Sequence, residues 1–321
     1  MKLGVLTVVL SQMEMGKAMK YLADSGVQAV EIGTGGFPGN AHCKPEILLN
    51  DDRKLEEFKQ AVYGNGLEIS ALSCHGNPVH PNKEIAKKFH DEFINTILLA
   101  EKLGIDRIVG FSGCPGDCPE SKHPNWVTCP WPEDFLEILE YQWNEVLIPY
   151  WKETAEFAKQ HGIKKICFEM HPGFCVYNPE TLLKLRNAVG DIIGANFDPS
   201  HLIWQGMDPV EAIRTLGNAI YFVHGKDGRI DQTNVAKNGV LDTKHYSDVL
   251  NRAWVFRTMG YGHDFKMWKD IVSMLKLVGY DDVISIEHED SLMSPTEGLQ
   301  KAIALLKEVL ISEQAGEMWW A

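Results

Sequence analysis

Four short segments pair acidic residues with histidines. They are Phe168-Glu169-Met170-His171, Phe197-Asp198-Pro199-Ser200-His201, Val223-His224-Gly225-Lys226-Asp227 and Ile286-Glu287-His288-Glu289. Each closes a short run rich in Ile, Val or Phe. Were these runs parallel barrel strands, their last residues would reach one shared mouth. Glu169, Asp198, His224 and Glu287 would then make a mixed oxygen and nitrogen donor set. That set suits Mn²⁺ best and accommodates Mg²⁺, Co²⁺ or Zn²⁺. Alone, Glu169 reads equally well as a satisfied barrel carboxylate and His224 as a core imidazole. Their joint placement at the ends of four consecutive strands is what favours a metal.

Two carboxylates flanking a divalent ion suit proton transfer beside a carbonyl, where the ion stabilises developing enediolate charge. Glu169 is the candidate base, and Glu287 the acid or second base on the other face. His171, two residues beyond Glu169, shares its side if the strand continues and is the next candidate. Expected substrate contacts are His201, in a turn begun by Pro199, and Lys226, two residues after His224. His75 and His80, in the segment Cys74–His80 that closes the third strand, would reach across the barrel. Arg229 lies just beyond Lys226. Trp126, with Trp131 and Trp204, offers a flat face for a sugar ring or an aromatic aglycone. Each has an ordinary alternative: loop structure for His171, a salt bridge for Lys226, helix packing for the tryptophans.

The elements that must position these residues alternate strand and helix. Strands are expected at 3–9, 29–32, 68–73, 107–111, 166–170, 193–197, 220–224 and 283–287. Helices are expected at 15–25, 53–63, 84–103, 135–161 with a kink before Pro149, 179–189, 209–216 and 295–311. Eight buried strands joined by right-handed crossovers predict a (β/α)8 TIM barrel, one α/β domain over 1–321. A doubly wound sheet is the rival, but Gly33–Gly39 matches neither GxGxxG nor a P-loop. It reads as a turn-rich loop at the mouth. The segment at approximately 225–266 is long enough to be a lid over the mouth. Residues at approximately 312–321 form a C-terminal tail.

Bulk properties narrow the function. With 31 Lys and Arg against 44 Asp and Glu, the net charge is −13. That balance argues against a nucleic-acid surface, which needs a basic stripe. No apolar stretch reaches membrane-spanning length, and a buried first strand explains Leu3–Val9 better than a signal peptide does. A cytoplasmic location is expected. Seven cysteines argue against a disulfide scaffold, and Cys114, Cys118, His123 and Cys129 do not follow a good zinc-finger spacing.

Glu169, Asp198-Pro199-Ser200-His201, His224 and Glu287 resemble the signature of the sugar-phosphate isomerase/epimerase superfamily, which has a xylose isomerase-like TIM barrel and includes relatives of the type-two AP endonucleases. The resemblance spans nearly the whole chain. It implies Mn²⁺ or a related ion on the four ligands, proton exchange by Glu169 and Glu287, and an enzyme that isomerises or epimerises a carbohydrate. Cys175 and Ile230 stand where ketose 3-epimerases of the superfamily carry a glutamate and an arginine. A narrower resemblance, to the α-subunits of bacterial C-glycoside deglycosidases, rests on Gly35–His42, Gly260-Tyr261-Gly262-His263-Asp264 and Ser285–Asp290. It implies β-elimination from a 3-oxo-glycoside, His171 as base, and a small β-sandwich partner subunit. A homo-oligomer is compatible with either. Two further alternatives are an abasic-site nuclease and a non-catalytic sugar-binding or assembly subunit.

Overall fold

In the computed structural model, which describes residues 1–321, eight parallel strands close a barrel. In chain order the strands are β1 (Lys2–Leu6), β2 (Ala29–Gly36), β3 (Glu68–His75), β4 (Arg107–Gly110), β5 (Lys165–Glu169), β6 (Ile193–Phe197), β7 (Ile220–Gly225), β8 (Asp227–Ile230), β9 (Trp254–Arg257) and β10 (Val283–Ile286). The barrel order is β1-β10-β7-β6-β5-β4-β3-β2, while β8 and β9 pair antiparallel as a separate ribbon. This is the expected (β/α)8 barrel. Its strands are short and almost entirely buried, as parallel strands covered by helices must be.

Alternation along the strands explains how the interior is filled. Ala29, Ala71, Val109, Cys167, Phe222 and Val283 form an apolar layer. Two residues further along their strands stand Glu31, Ser73, Phe111, Glu169, His224 and Ser285. Except at Phe111, just past the end of β4, the barrel therefore changes from apolar to polar in a single step of the two-residue period. Outside it, the helical faces and outward strand residues join in a large core that includes Trp151, Trp268 and Leu22.

Several local expectations are corrected. The first strand ends at Leu6, and Thr7–Leu10 turns into a 3₁₀ helix. Strand β2 continues through Gly36, so half of the supposed mouth loop is sheet. Pro199–Trp204 is a short helix rather than a turn: Asp198 caps it through Ser200 N (2.8 Å) and Pro199 takes its first position. The helix around Pro149 does not simply kink. A π-helical stretch, Tyr141–Leu147, precedes Ile148–Gln160, which takes Pro149 in its first turn. A helix at Phe265–Leu277 follows the lid and completes the seventh unit, ahead of the last barrel strand.

The segment after β7 is a lid built on the β8–β9 ribbon. Trp254 stacks on Trp204 at 4.5 Å, joining the ribbon to the helix that follows β6. At the base of the ribbon the buried Asp227 accepts backbone N–H groups from Gly228, Gly260, Gly262 and His263 at 2.8–3.2 Å. It also contacts the His263 ring at 2.8 Å. The tail stays largely in solvent, with Met318, Trp319 and Trp320 each more than half exposed.

Gly36 is required where β2 ends. Its φ is +70°, and a Cβ there would lie 1.9 Å from the His75 carbonyl oxygen. Gly36→Ala is expected to destabilise the barrel by about 2–4 kcal/mol, read from urea unfolding. An unchanged midpoint would contradict this account of the β2–β3 approach.

Candidate metal centre

At the C-terminal ends of four adjacent barrel strands, Glu169, Asp198, His224 and Glu287 each bring one ligand atom within 4.8 Å of the others. Glu169, Asp198 and His224 are almost wholly inaccessible, and Glu287 retains 18% of its side-chain exposure. His224 Nδ1 lies 3.0 Å from Glu287 Oε2 and 3.3 Å from Glu169 Oε2. Asp198 Oδ2 and Glu287 Oε2 are buried without a properly aligned hydrogen-bond donor. Buried carboxylate oxygens are normally satisfied. Two such atoms beside an imidazole nitrogen fit a divalent ion, and these four residues would hold it. The other group of three potential ligands, Glu169, His171 and His201, shares Glu169 with it, and neither group includes a cysteine.

The surrounding groups bear mainly on Glu169. His201 Nε2 is 2.9 Å from its Oε1, while His75 Nε2 and Asn196 Nδ2 are 3.1 and 3.3 Å from its Oε2. Burial works against ionisation, but hydrogen bonds from His201, His224 and His75 outweigh it and hold this carboxyl well below the usual range. Asp198 goes the other way: burial dominates and raises it. Lys226 Nζ sits 2.7 Å from Glu289, 3.3 Å from Glu287 and 3.7 Å from Asp198. Burial disfavours its charge, but Glu287, Glu289 and Asp198 hold its pKa well above the usual lysine value.

His171 is a different kind of group. Burial, with His201 next, pushes its pKa down to about 3. Its Nδ1 is 2.5 Å from the Pro172 carbonyl, which can only accept. Nδ1 therefore carries the proton, and Nε2 is the free acceptor.

Glu169 and Glu287 line a cavity of about 580 Å³, and Asp198 and His224 lie behind them. His75, His171 and Lys226 line it, and His201 stands behind them against Glu169 and Asp198. Phe37, Phe111 and Phe174 make one apolar group of the lining; Tyr246 and Phe256, from the lid, make another. Phe111 and Phe174 stack at 4.2 Å, Tyr246 and Phe256 at 5.9 Å.

The other expected contacts lie elsewhere. His80 faces an outer pocket and accepts Asn82 N–H at 3.0 Å, because the chain turns away after His75. Trp126 packs edge-on against Tyr177 and is not in the cavity wall. Arg229 is exposed on the ribbon, two residues past the buried Asp227, and lies outside the cavity wall. Trp131 is exposed, and Trp204 is covered by Trp254.

The sequence reading passed over Glu31, Asn196, Ser73 and Ser285. Glu31 had a visible signal, a lone carboxylate within the apolar run Ala29–Ile32. Its oxygens lie 2.9 and 3.1 Å from His224 Nε2.

Comparison with known proteins bears on the ancestry of this arrangement. The family model described as a xylose isomerase-like TIM barrel matches residues 19–309. The chain belongs to that family. Within the xylose isomerase-like TIM barrels it is similar to the uncharacterized protein YfiH of Bacillus subtilis, 41% identical over 97% of this chain and 99% of that one. It is also similar to an inosose dehydratase of Clostridium perfringens, 24% identical over 87% of each chain. Among solved structures, the IOLI protein with a bound zinc atom shares the fold: TM-score 0.65, 18% identity, 98% of this chain and 100% of that one. No helix here is long and apolar enough to cross a membrane.

Metal binding is expected to depend on pH. Burial disfavours a charged His224, but Glu31 and Glu287 prevail and raise its pKa well above the usual value. An ion on Nδ1 must compete with the proton that this raised pKa favours. Affinity should rise with pH up to that raised pKa and fall about tenfold per unit below it. Titrations at pH 6, 7 and 8 test this; equal affinities would contradict it.

Proposed function

We propose that this chain is a divalent-metal-dependent enzyme that enolises a carbohydrate carbonyl, leading to isomerisation or epimerisation. The observation that carries the reading is the convergence of Glu169, Asp198, His224 and Glu287 at the cavity, with Asp198 Oδ2 and Glu287 Oε2 lacking aligned donors. Mn²⁺ suits three carboxylates and one imidazole, and the zinc reported for the IOLI protein keeps Zn²⁺ beside Mg²⁺ and Co²⁺ as a candidate. When bound, the ion supplies a Lewis acid where carbonyl oxygen gathers negative charge.

The chain's own residues do the rest. Glu169, kept ionised by His201, His224 and His75, accepts the carbon-bound proton. Burial works against charge on Glu287, but Lys226 and His224 hold its pKa down at about 2. It therefore first takes a proton from solvent through its exposed edge and then returns it on the other side. Lys226 remains cationic and stabilises charge on a substrate oxygen. His75 and His201 orient Glu169, and His75, in the cavity wall, contacts a substrate hydroxyl. The only lysine or arginine in the cavity lining is Lys226, and it already faces three carboxylates. That favours an unphosphorylated substrate.

A second outcome of the same enolisation is β-elimination from a 3-oxo-glycoside, in which His171 is the base. The five aromatic residues of the cavity lining favour it, since they suit an apolar aglycone beside the sugar. The inosose dehydratase relative, named for a loss of water, is consistent with elimination on this barrel.

The test is proton exchange in D₂O, followed by NMR, on unphosphorylated ketoses and 3-oxo-glycosides with Mn²⁺, Mg²⁺, Co²⁺ or Zn²⁺ added. Loss of a carbon-bound proton signal supports enolisation, and release of aglycone selects elimination. Ligand binding with no exchange under any ion would sink both and leave a sugar-binding or assembly role.

A further inference from the structure

Glu31 is wholly buried in the barrel interior, on a strand that supplies none of the four ligands. Beneath it the interior is apolar, with Ala29 two residues earlier on the same strand. Burying a carboxylate there is costly unless its oxygens are used. Both are. Ser73 Oγ donates to Oε1, and Ser285 Oγ donates to Oε2 at 2.7 Å. His224 Nε2 lies 2.9 and 3.1 Å from the same two oxygens.

With two hydroxyls donating to it, this carboxylate acts as an acceptor, so His224 Nε2 carries the ring proton. Nδ1, which faces Glu169 and Glu287, is left as the ligand atom. A carboxylate behind an imidazole N–H fixes the tautomer, aims the ring and makes the opposite nitrogen a stronger donor to a metal.

We infer that Glu31, seated by Ser73 and Ser285, is a positioning residue that sets the affinity of His224 for the divalent ion. The inference rests on the metal reading of the site. It differs from a filling role, because a space-filling residue at this position would not need three donors converging on it.

The experiment uses the full chain, stripped of metal and titrated with Mn²⁺ and with Zn²⁺. Wild type, Glu31→Gln and Ser285→Ala are compared, and urea unfolding of each metal-free protein is measured in parallel. Glu31→Gln is expected to weaken binding about 10–100-fold. Ser285→Ala should weaken it less, in the same direction, and carries the test if Glu31→Gln does not fold. In the Zn²⁺-loaded wild type, ¹⁵N–¹H spectra should show His224 protonated at Nε2. Variants that lose stability yet bind the ion as tightly as wild type would overturn the role of Glu31 alone. A wild type that binds no ion would remove this inference together with the metal site.

Discussion

Glu169→Gln is expected to slow exchange of the substrate's carbon-bound proton by about 10²–10⁴-fold, the range typical of a lost general base. The substitution also removes a ligand oxygen, so it must be measured with the ion in excess. At saturating Mn²⁺ a pure ligand defect recovers and a missing base does not. Asp198→Asn provides the contrast. It weakens metal binding while leaving Glu169 with its contacts to His75, His201 and Asn196. Its exchange rate should therefore recover more fully at high Mn²⁺. Full turnover by the double variant Glu169→Gln/Glu287→Gln would end the enolisation reading.

Lys226→Met is expected to move three quantities at once. The lysine is 3% exposed and lies within 3.7 Å of Asp198, Glu287 and Glu289. Removing one partner from a buried charge cluster typically costs about 3–5 kcal/mol, so the metal-free protein should lose stability on that scale. The ion, no longer repelled by a neighbouring ammonium, should bind more tightly and restore part of the loss. Turnover should nevertheless fall about 10²–10³-fold, because a fixed cation beside the reacting oxygen is gone. Urea unfolding with and without metal, metal titration and steady-state kinetics read the three separately. Unchanged metal affinity with unchanged turnover would reduce Lys226 to a structural salt bridge.

The barrel was readable because its strands are short, apolar and regularly spaced by amphipathic helices. The convergence of Glu169, Asp198, His224 and Glu287 was readable because they stand at or just past the ends of those strands. What lay beyond that was set by side-chain direction and by long-range packing. Glu31 is followed by a polar Thr34 and a run of glycines, so β2 resembles a short strand entering a loop. Its partner His224 is 193 residues away, and no local pattern announces that pairing. Pro199–Trp204 is too short to show a helical period, although its Asp-Pro start is a helix signal. The Phe265–Leu277 helix carries an apolar face at Trp268, Ile271, Val272 and Leu275 and a cap at Asp264, but adjoins the irregular lid. His80 and Arg229 were assigned by nearness in sequence; a turn carries His80 away, and Arg229 lies exposed on the lid ribbon.

The clamp at Asp227 separates what this fold can vary from what it must keep. One carboxylate, a single residue beyond Lys226, grips both the start of the lid and its return at Gly260–His263. The intervening segment contributes Tyr246 and Phe256 to the cavity but no ligand to the cluster. Changes in its length or composition can therefore reshape the chamber while the cluster beneath it stays in register. Such a lid is an exchangeable part, and a library randomised between 232 and 253 is the natural place to change what this chamber admits.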